Sequence, residues 1–267
     1  KAGQNDDGCT SWCDVTANFK AWSPGVDGRR IDVAHLDPNT AYVSVDGHRS
    51  DGVAPFLFVT HDLGQTWSSI ASDLPKTHTV KVIREDLANR DLLFAGTEFG
   101  CFFTLDGGKH WLALKNGLPT VAVDDILIHP RERDLIVATH GRSIWILDGI
   151  QTLESFTSHT MSDTVTFAPT RTAWAYYPAT LGGKWGQRDF LAKNPPAGAW
   201  FDYFLPKELE GGVSISVTDS PGHDVRTLDG PREKGFHRVA WVLAAAGPQP
   251  PTRPRACARH PPSLAPR

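Results

Sequence analysis

Three carboxylates, two histidines and two arginines stand where a repeat places polar turns, and together they could do chemistry. Asp46, His48, Arg49 and Asp51 occupy one such turn, Glu98 the next, and His140 and Arg142 a third. A pair of carboxyls roughly 5–10 Å apart across a sugar bond can hydrolyse it, one as acid and the other as base or nucleophile. Glu98 with Asp46 is the leading pair, and either one with Asp124 or Asp125 is the alternative; no local motif pins any of these. Without catalysis, His48, Arg49, Glu98, His140 and Arg142 form a polar surface suited to an anionic, carbohydrate or protein ligand.

The elements that must position these residues are written in a repeat. Thr60-His61-Asp62-Leu63-Gly64-Gln65-Thr66-Trp67 returns 44 residues later as Thr104-Leu105-Asp106-Gly107-Gly108-Lys109-His110-Trp111. Leu74-Pro75 and Leu118-Pro119 keep the same spacing, and Arg90-Asp91-Leu92-Leu93-Phe94-Ala95 returns after 43 residues as Arg133-Asp134-Leu135-Ile136-Val137-Ala138. An earlier copy reads Asn39-Thr40-Ala41-Tyr42-Val43-Ser44. A period in the low forties holding several short strands predicts β-propeller blades. Val80–Arg84 would be innermost in one unit, followed by Leu92–Gly96, Cys101–Thr104 and Trp111–Leu114. In each unit the turn between the second and third strands lies on the rim opposite the aspartate turns, so the polar residues above share one face.

Asp62 and Asp106 read as turn caps: a carboxylate at the start of a hairpin loop accepts backbone N–H groups further along. Gly64 and Gly108 permit a positive φ, and Trp67 and Trp111 bury apolar area between sheets. These segments resemble the Asp-box (BNR) repeats of sialidases, xyloglucanase-type glycosidases, sortilin and a photosystem II assembly-factor family. They are most similar to secreted bacterial sortilin-like or "BNR-repeat glycosyl hydrolase" proteins. Gly96-Thr97-Glu98-Phe99-Gly100, Asn116-Gly117-Leu118-Pro119, His129-Pro130-Arg131-Glu132-Arg133-Asp134 and Ala138 through Trp145 carry the rest of the likeness, over roughly residues 30–243. The resemblance implies a secreted or periplasmic location. It implies either a glycoside hydrolase or a binding propeller for a glycan or protein.

The expected architecture is all-β: a partial propeller of about three four-stranded blades followed by a small Ig-like β module. Residues 1–29 read as the remnant of a preceding blade, 30–150 as blades, and 151–194 as a linker in which Val165-Thr166-Phe167 supplies the last outer strand. Residues 195–243 read as the Ig-like module, with strands at Trp200–Leu205, Val213–Thr218, Val225–Thr227 and His237–Leu243. Residues 244–267 hold seven prolines and four arginines with no acid, a composition that cannot bury a core, and resemble out-of-frame translation. Three blades cannot close a ring, so self-association or further blades are expected to cover the terminal sheets.

Composition excludes other classes. The chain has 267 residues, 40% hydrophobic and 21% charged, a globular balance that rules out wholesale disorder. A net charge of −3 argues against a dedicated nucleic-acid binder, and no stretch reaches the ~18 apolar residues of a membrane helix. Four cysteines are too few for a disulfide scaffold, and Cys9 and Cys13 can pair or stay free. No CxxC, HExxH, GxSxG or GxxxxGK[ST] pattern occurs, so no metal and no cofactor are expected; Gly107-Gly108-Lys109 belongs to the aspartate turn. His35, His61, His78, His110 and His129 fall at strand ends or turns and read as solvated or structurally satisfied. A sialidase would need an arginine cluster and a reactive tyrosine, whereas Tyr42 lies within an expected strand.

Overall fold

Short runs of β-branched and aromatic residues, punctuated by Gly, Asp and Asn, fold into antiparallel meanders because each run is long enough for a strand and too short for a helix. A computed structural model describes residues 3–4, 13–19, 27–47, 52–115, 117–157, 165–174 and 194–243. Strands β1 (Gly3–Gln4) and β2 (Cys13–Asp14) pair with each other and lead into a 3₁₀ turn at Thr16–Asn18. The first large sheet runs β3 (Asp27–Val33), β4 (Ala41–Gly47), β5 (Gly52–Thr60) and β6 (Ser68–Ser69), each strand paired with the next. The second repeats this order as β7 (Val80–Glu85), β8 (Leu93–Thr97), β9 (Gly100–Thr104) and β10 (Leu112–Leu114). The third has β11 (Val123–Ile128), β12 (Leu135–Thr139) and β13 (Ile144–Leu147).

The three sheets stack face on face with β3, β7 and β11 side by side. Between the first and second lie Tyr42, Leu57, Val59 and Ile70 against Ile83, Leu93, Phe102 and Trp111. Between the second and third lie Val82, Phe94 and Phe103 against Val123, Ile126 and Val137. Sheets with a shared innermost edge and alternating sides facing successive neighbours are propeller blades. The chain is all-β with a partial β-propeller. Gly96 shows how close the packing is: a Cβ there would stand 2.5 Å from Val82 Cγ1 and 2.6 Å from Val123 Cγ1.

Three expectations change. First, the expected blade boundary at residue 30 falls inside β3, which starts at Asp27. Second, the 43-residue spacing from Leu92 to Leu135 misaligns the second strand. Leu93 lies opposite Glu85 and Leu135 opposite Ile128, so the equivalent positions are 42 apart (135 − 93). The loop before β12 is one residue shorter than the one before β8, and Arg133 absorbs the shortening at φ 58°. A one-residue slip moves every side chain to the other face. The repeat therefore aligns Leu92, on the side of the second sheet that faces the third, with Leu135, on the side of the third that faces the second, although both are buried. Third, the third sheet has three strands, because Thr166–Phe167 pairs elsewhere.

After β13 comes one helical turn, α1 (Gln151–Ser155), then β14 (Thr166–Phe167). β15 (Ala199–Leu205) lies between β14 and β18 (Gly235–Trp241), while β16 (Val213–Thr218) and β17 (Asp224–Gly230) form a separate hairpin. Thr166 sits opposite Phe204 and Phe167 opposite Tyr203, which removes them from the third blade. The physical reason is burial: Phe156, Ala168 and Phe204 are buried in the same core as Ile128, Leu135 and Ile150. Arg238 locks the joint, donating to both Asp202 carboxylate oxygens at 2.8 Å and to the backbone carbonyls of Asp148 (2.7 Å) and Gly149 (3.0 Å). The tail at 244–267, Cys9 and Cys257 lie outside the described residues.

Candidate functional site

The aspartate turns are held by their own local chemistry. Asp62 Oδ1 accepts the Thr66 N–H and the Thr60 hydroxyl, each at 2.8 Å, and Oδ2 accepts the Thr66 hydroxyl at 2.6 Å. These bonds to the ionised form draw its pKa from 3.8 down to about 2. Asp106 Oδ1 accepts the Lys109 and His110 N–H groups, and its Oδ2 lies 2.6 Å from His110 Nδ1. Gly64 and Gly108 take φ 84° and 91°, and a Cβ on Gly108 would come within 2.8 Å of Ile70 Cβ. The buried Trp111 donates its Nε1–H to Ile70 O at 2.8 Å, closing the second sheet onto the first. Trp67 meets Phe19 edge-to-face at 5.3 Å. Every polar atom of these two carboxylates faces its own turn.

The opposite rim is different. Turns β8–β9 and β12–β13 rise there, each tied down by one backbone bond to the strand entrance beside it: Glu98 N–H to Thr79 O (3.2 Å) and His140 N–H to Ala122 O (2.8 Å). In the first, Glu98 and Phe99 form a two-residue tip between Thr97 and Gly100, whose φ is 140°. In the second, Thr139 donates through both N–H and Oγ1 to Ser143 O, and Gly141 and Ser143 take positive φ. Asp46 stands near the end of β4, on the same rim. His48, Arg49 and Asp51 lie outside the described residues.

The structure brings His140 to Asp124. His140 Nδ1 lies 3.0 Å from Asp124 Oδ2, and Lys81 Nζ lies 2.8 Å from Oδ1, so one carboxylate joins two sheets. Partial burial pushes the Asp124 pKa up, but the bonds from Lys81 and His140 outweigh it and hold the carboxyl below its ordinary value. Asp125 is bound as well, to Arg30 at 3.1 Å and Arg84 at 3.4 Å. Arg84 also contacts Asp32 and donates Nε–H to Ile126 O at 2.7 Å, so one guanidinium spans the inner strands of all three sheets. The exposed Arg142 takes part through its backbone carbonyl, which accepts from Trp145 Nε1 at 2.9 Å.

Beside Glu98 the rim opens into a cleft of about 690 Å³, lined by Thr77, His78, Phe99, Phe102, Lys115 and Leu118 among others. The His78 ring lies 5.0 Å from the Phe99 centroid and 5.6 Å from that of Phe102. Its Nδ1 is buried and has no hydrogen-bond partner. Burial lowers the His78 pKa while the charge of Glu98 pulls the other way, so the ring is neutral at neutral pH. An exposed phenyl face at Phe99 and the Lys115 side chain on the cleft wall can grip a ligand with one flat apolar side and one polar edge. Sequence reasoning did not single out Phe99 or Lys81; an aromatic at the tip of a two-residue hairpin was the available signal for the first.

No protein-family model matches the sequence, and no curated protein is significantly similar to it. Solved structures are similar over part of their length. The GH74 xyloglucanase from Xanthomonas campestris shares 16% identity over 55% of this chain and 23% of its own, with a TM-score of 0.40. YCF48 bound to D1 peptide shares 16% over 71% of this chain and 51% of its own (TM-score 0.31). An ancestral GH74 enzyme shares 15% over 79% of this chain and 27% of its own (TM-score 0.33). The chain thus spans about a quarter to a half of the length of these structures, and the fold described above rests on its own strand pairing and packing.

Proposed function

We propose that this chain is a binding module that recognises a glycan or protein ligand on the rim opposite the aspartate turns, with the Phe99 and His78 cleft as its centre. The carrying observation is the cleft itself: the exposed Phe99 ring beside the Lys115 side chain on its wall. His140, Arg142 and Glu98 extend the surface to either side, and His48 and Arg49 would do so by their place in the repeat. Binding fits this rim better than turnover. A glycosidase acid needs a raised pKa, and among the described residues the carboxyls that burial pushes up, Glu85, Asp148 and Glu154, sit toward the other ends of the strands. On the rim, Asp124 is held ionised by its partners.

The test is a glycan array and a peptide panel probed with the whole chain, with polysaccharide hydrolysis followed in parallel. Phe99→Ala should weaken binding by about tenfold or more, the scale of losing one aromatic contact at the centre of a site. His78→Ala should weaken it by a smaller factor. Turnover that disappears in Glu98→Gln or Asp46→Asn would overturn the reading in favour of a glycoside hydrolase.

A further inference from the structure

The cleft beside Glu98 lies across the ends of β9 and β10, between two blade-to-blade connections. One connection supplies Thr77 and His78, the other Leu118, Pro119 and Thr120. The two threonines are equivalent: each stands two residues before the carbonyl, Thr79 O or Ala122 O, that ties down a rim turn. Both are exposed, as is Lys115, the first residue after β10. The Phe99 ring is 48% exposed. Among the described residues no carboxylate lines this cleft, and Lys115 Nζ makes no ion pair or hydrogen bond with any of them. Burial keeps the other basic group of the walls, His78, neutral at neutral pH, so the charge of the cleft is the lysine's.

We propose that the ligand of this cleft is an acidic glycan, a chain of uronate residues, with one sugar ring stacked on Phe99 and its carboxylate held by Lys115. The proposal rests on the binding reading above and names the chemical class of the ligand. A carboxylated sugar offers what each wall takes up: apolar C–H groups on one ring face for the phenyl, hydroxyls for Thr77 and Thr120, and an anion for an ammonium left unpaired. The volume of about 690 Å³ is that of a small-ligand site, which spans roughly 300–1,000 Å³. A peptide fits less well. An extended peptide binds through a ladder of main-chain hydrogen bonds, and these walls bond internally. The His78 N–H goes to Pro75 O, the Leu118 N–H to Lys115 O, and Pro119 has no N–H to give. On the next rim turn Arg142 is exposed, and its described bond is made by its backbone carbonyl. A glycan long enough to pass from one blade to the next meets this second cation.

Isothermal titration calorimetry of the full chain tests it, with tetragalacturonate and tetramannuronate each titrated beside its neutral methyl ester. At least one acid should bind about fivefold or more tightly than its ester at low salt, and the gap should shrink as sodium chloride is raised. Lys115→Met should remove most of that gap. Lys109→Met deletes the same charge on the opposite rim and should preserve it. Both lysines are exposed, so each variant keeps its fold, checked by circular dichroism. Equal binding of acids and esters, a gap that survives Lys115→Met, no binding of either acid, or tighter binding of a hexaglutamate peptide would overturn the acidic-glycan assignment. In each of these cases the wider reading still stands if another glycan or peptide binds in a way that Phe99→Ala weakens. Silence across the whole glycan array and peptide panel would overturn both.

Discussion

At the scale of single residues, the aspartate turns separate structural carboxylates from available ones. Asp62 drops from 3.8 to about 2 on folding because Thr60 and Thr66 donate to its ionised form. A depressed folded pKa gives stability that is present above the unfolded value and lost as pH falls through the folded one. Thermal melts of the chain should therefore decline between about pH 4 and pH 2, and Asp62→Asn should flatten that decline. His110 behaves oppositely: its hydrogen bond to Asp106 raises its pKa, and the stabilisation it brings is present below the ordinary histidine value and fades as pH rises through the raised one. Nuclear magnetic resonance titration should find the His110 midpoint above that of a free histidine. Gly96 is a residue-scale constraint of another kind. A methyl there collides with Val82 and Val123, and Gly96→Ala should cost about 1–3 kcal/mol in denaturant unfolding.

Between elements, charge and register act together. Arg133 reaches back from the shortened loop to Asp86, which is fully buried, through bonds of 3.0 and 2.9 Å, and to Glu154 of α1 at 2.7 Å. Asp86 meanwhile caps its own loop by accepting the Ala88 and Asn89 N–H groups. The triad ties the second sheet, the third sheet and the helical turn at one point. Arg133→Met should destabilise by about 3–5 kcal/mol, because it strands a buried carboxylate without its cation. Arg133→Lys should rescue only part of that loss, since an ammonium cannot span both acids as a planar fork does. The loop length that sends β12 one residue out of step with the repeat also delivers this arginine to its partners.

For the whole molecule, one joint decides whether the C-terminal strands unfold with the propeller. Arg238 holds Asp202 to the carbonyls that follow β13, and Thr152 of α1 contacts the same carboxylate. Phe156 lies in the shared core, 5.2 Å from Phe236 and 6.1 Å from Phe204. Calorimetry should show the described strands melting in one transition. Phe156→Ala should cost about 3–5 kcal/mol and split off an earlier one. An unchanged single transition would mean that the joint does not carry the coupling.

Strand content, meander order and the aspartate-capped turns were legible in the amino-acid order, because these depend on side chains within a few residues of one another. The Asp62 and Asp106 turns are local in this sense: among the described residues, each carboxylate bonds within its own octapeptide. The rim was legible as a face, since the same turn recurs in each repeat, and Glu98, His140 and Arg142 fall on it. Which rim groups meet depends on how the sheets pack. Lys81 and Asp124 stand 43 residues apart and touch because neighbouring inner strands pack side by side. The partner of Thr166–Phe167 and the one-residue shift of β12 were likewise settled by long-range burial. Competition for apolar contacts across the core outweighed the local repeat, and no window of the sequence contains both competitors.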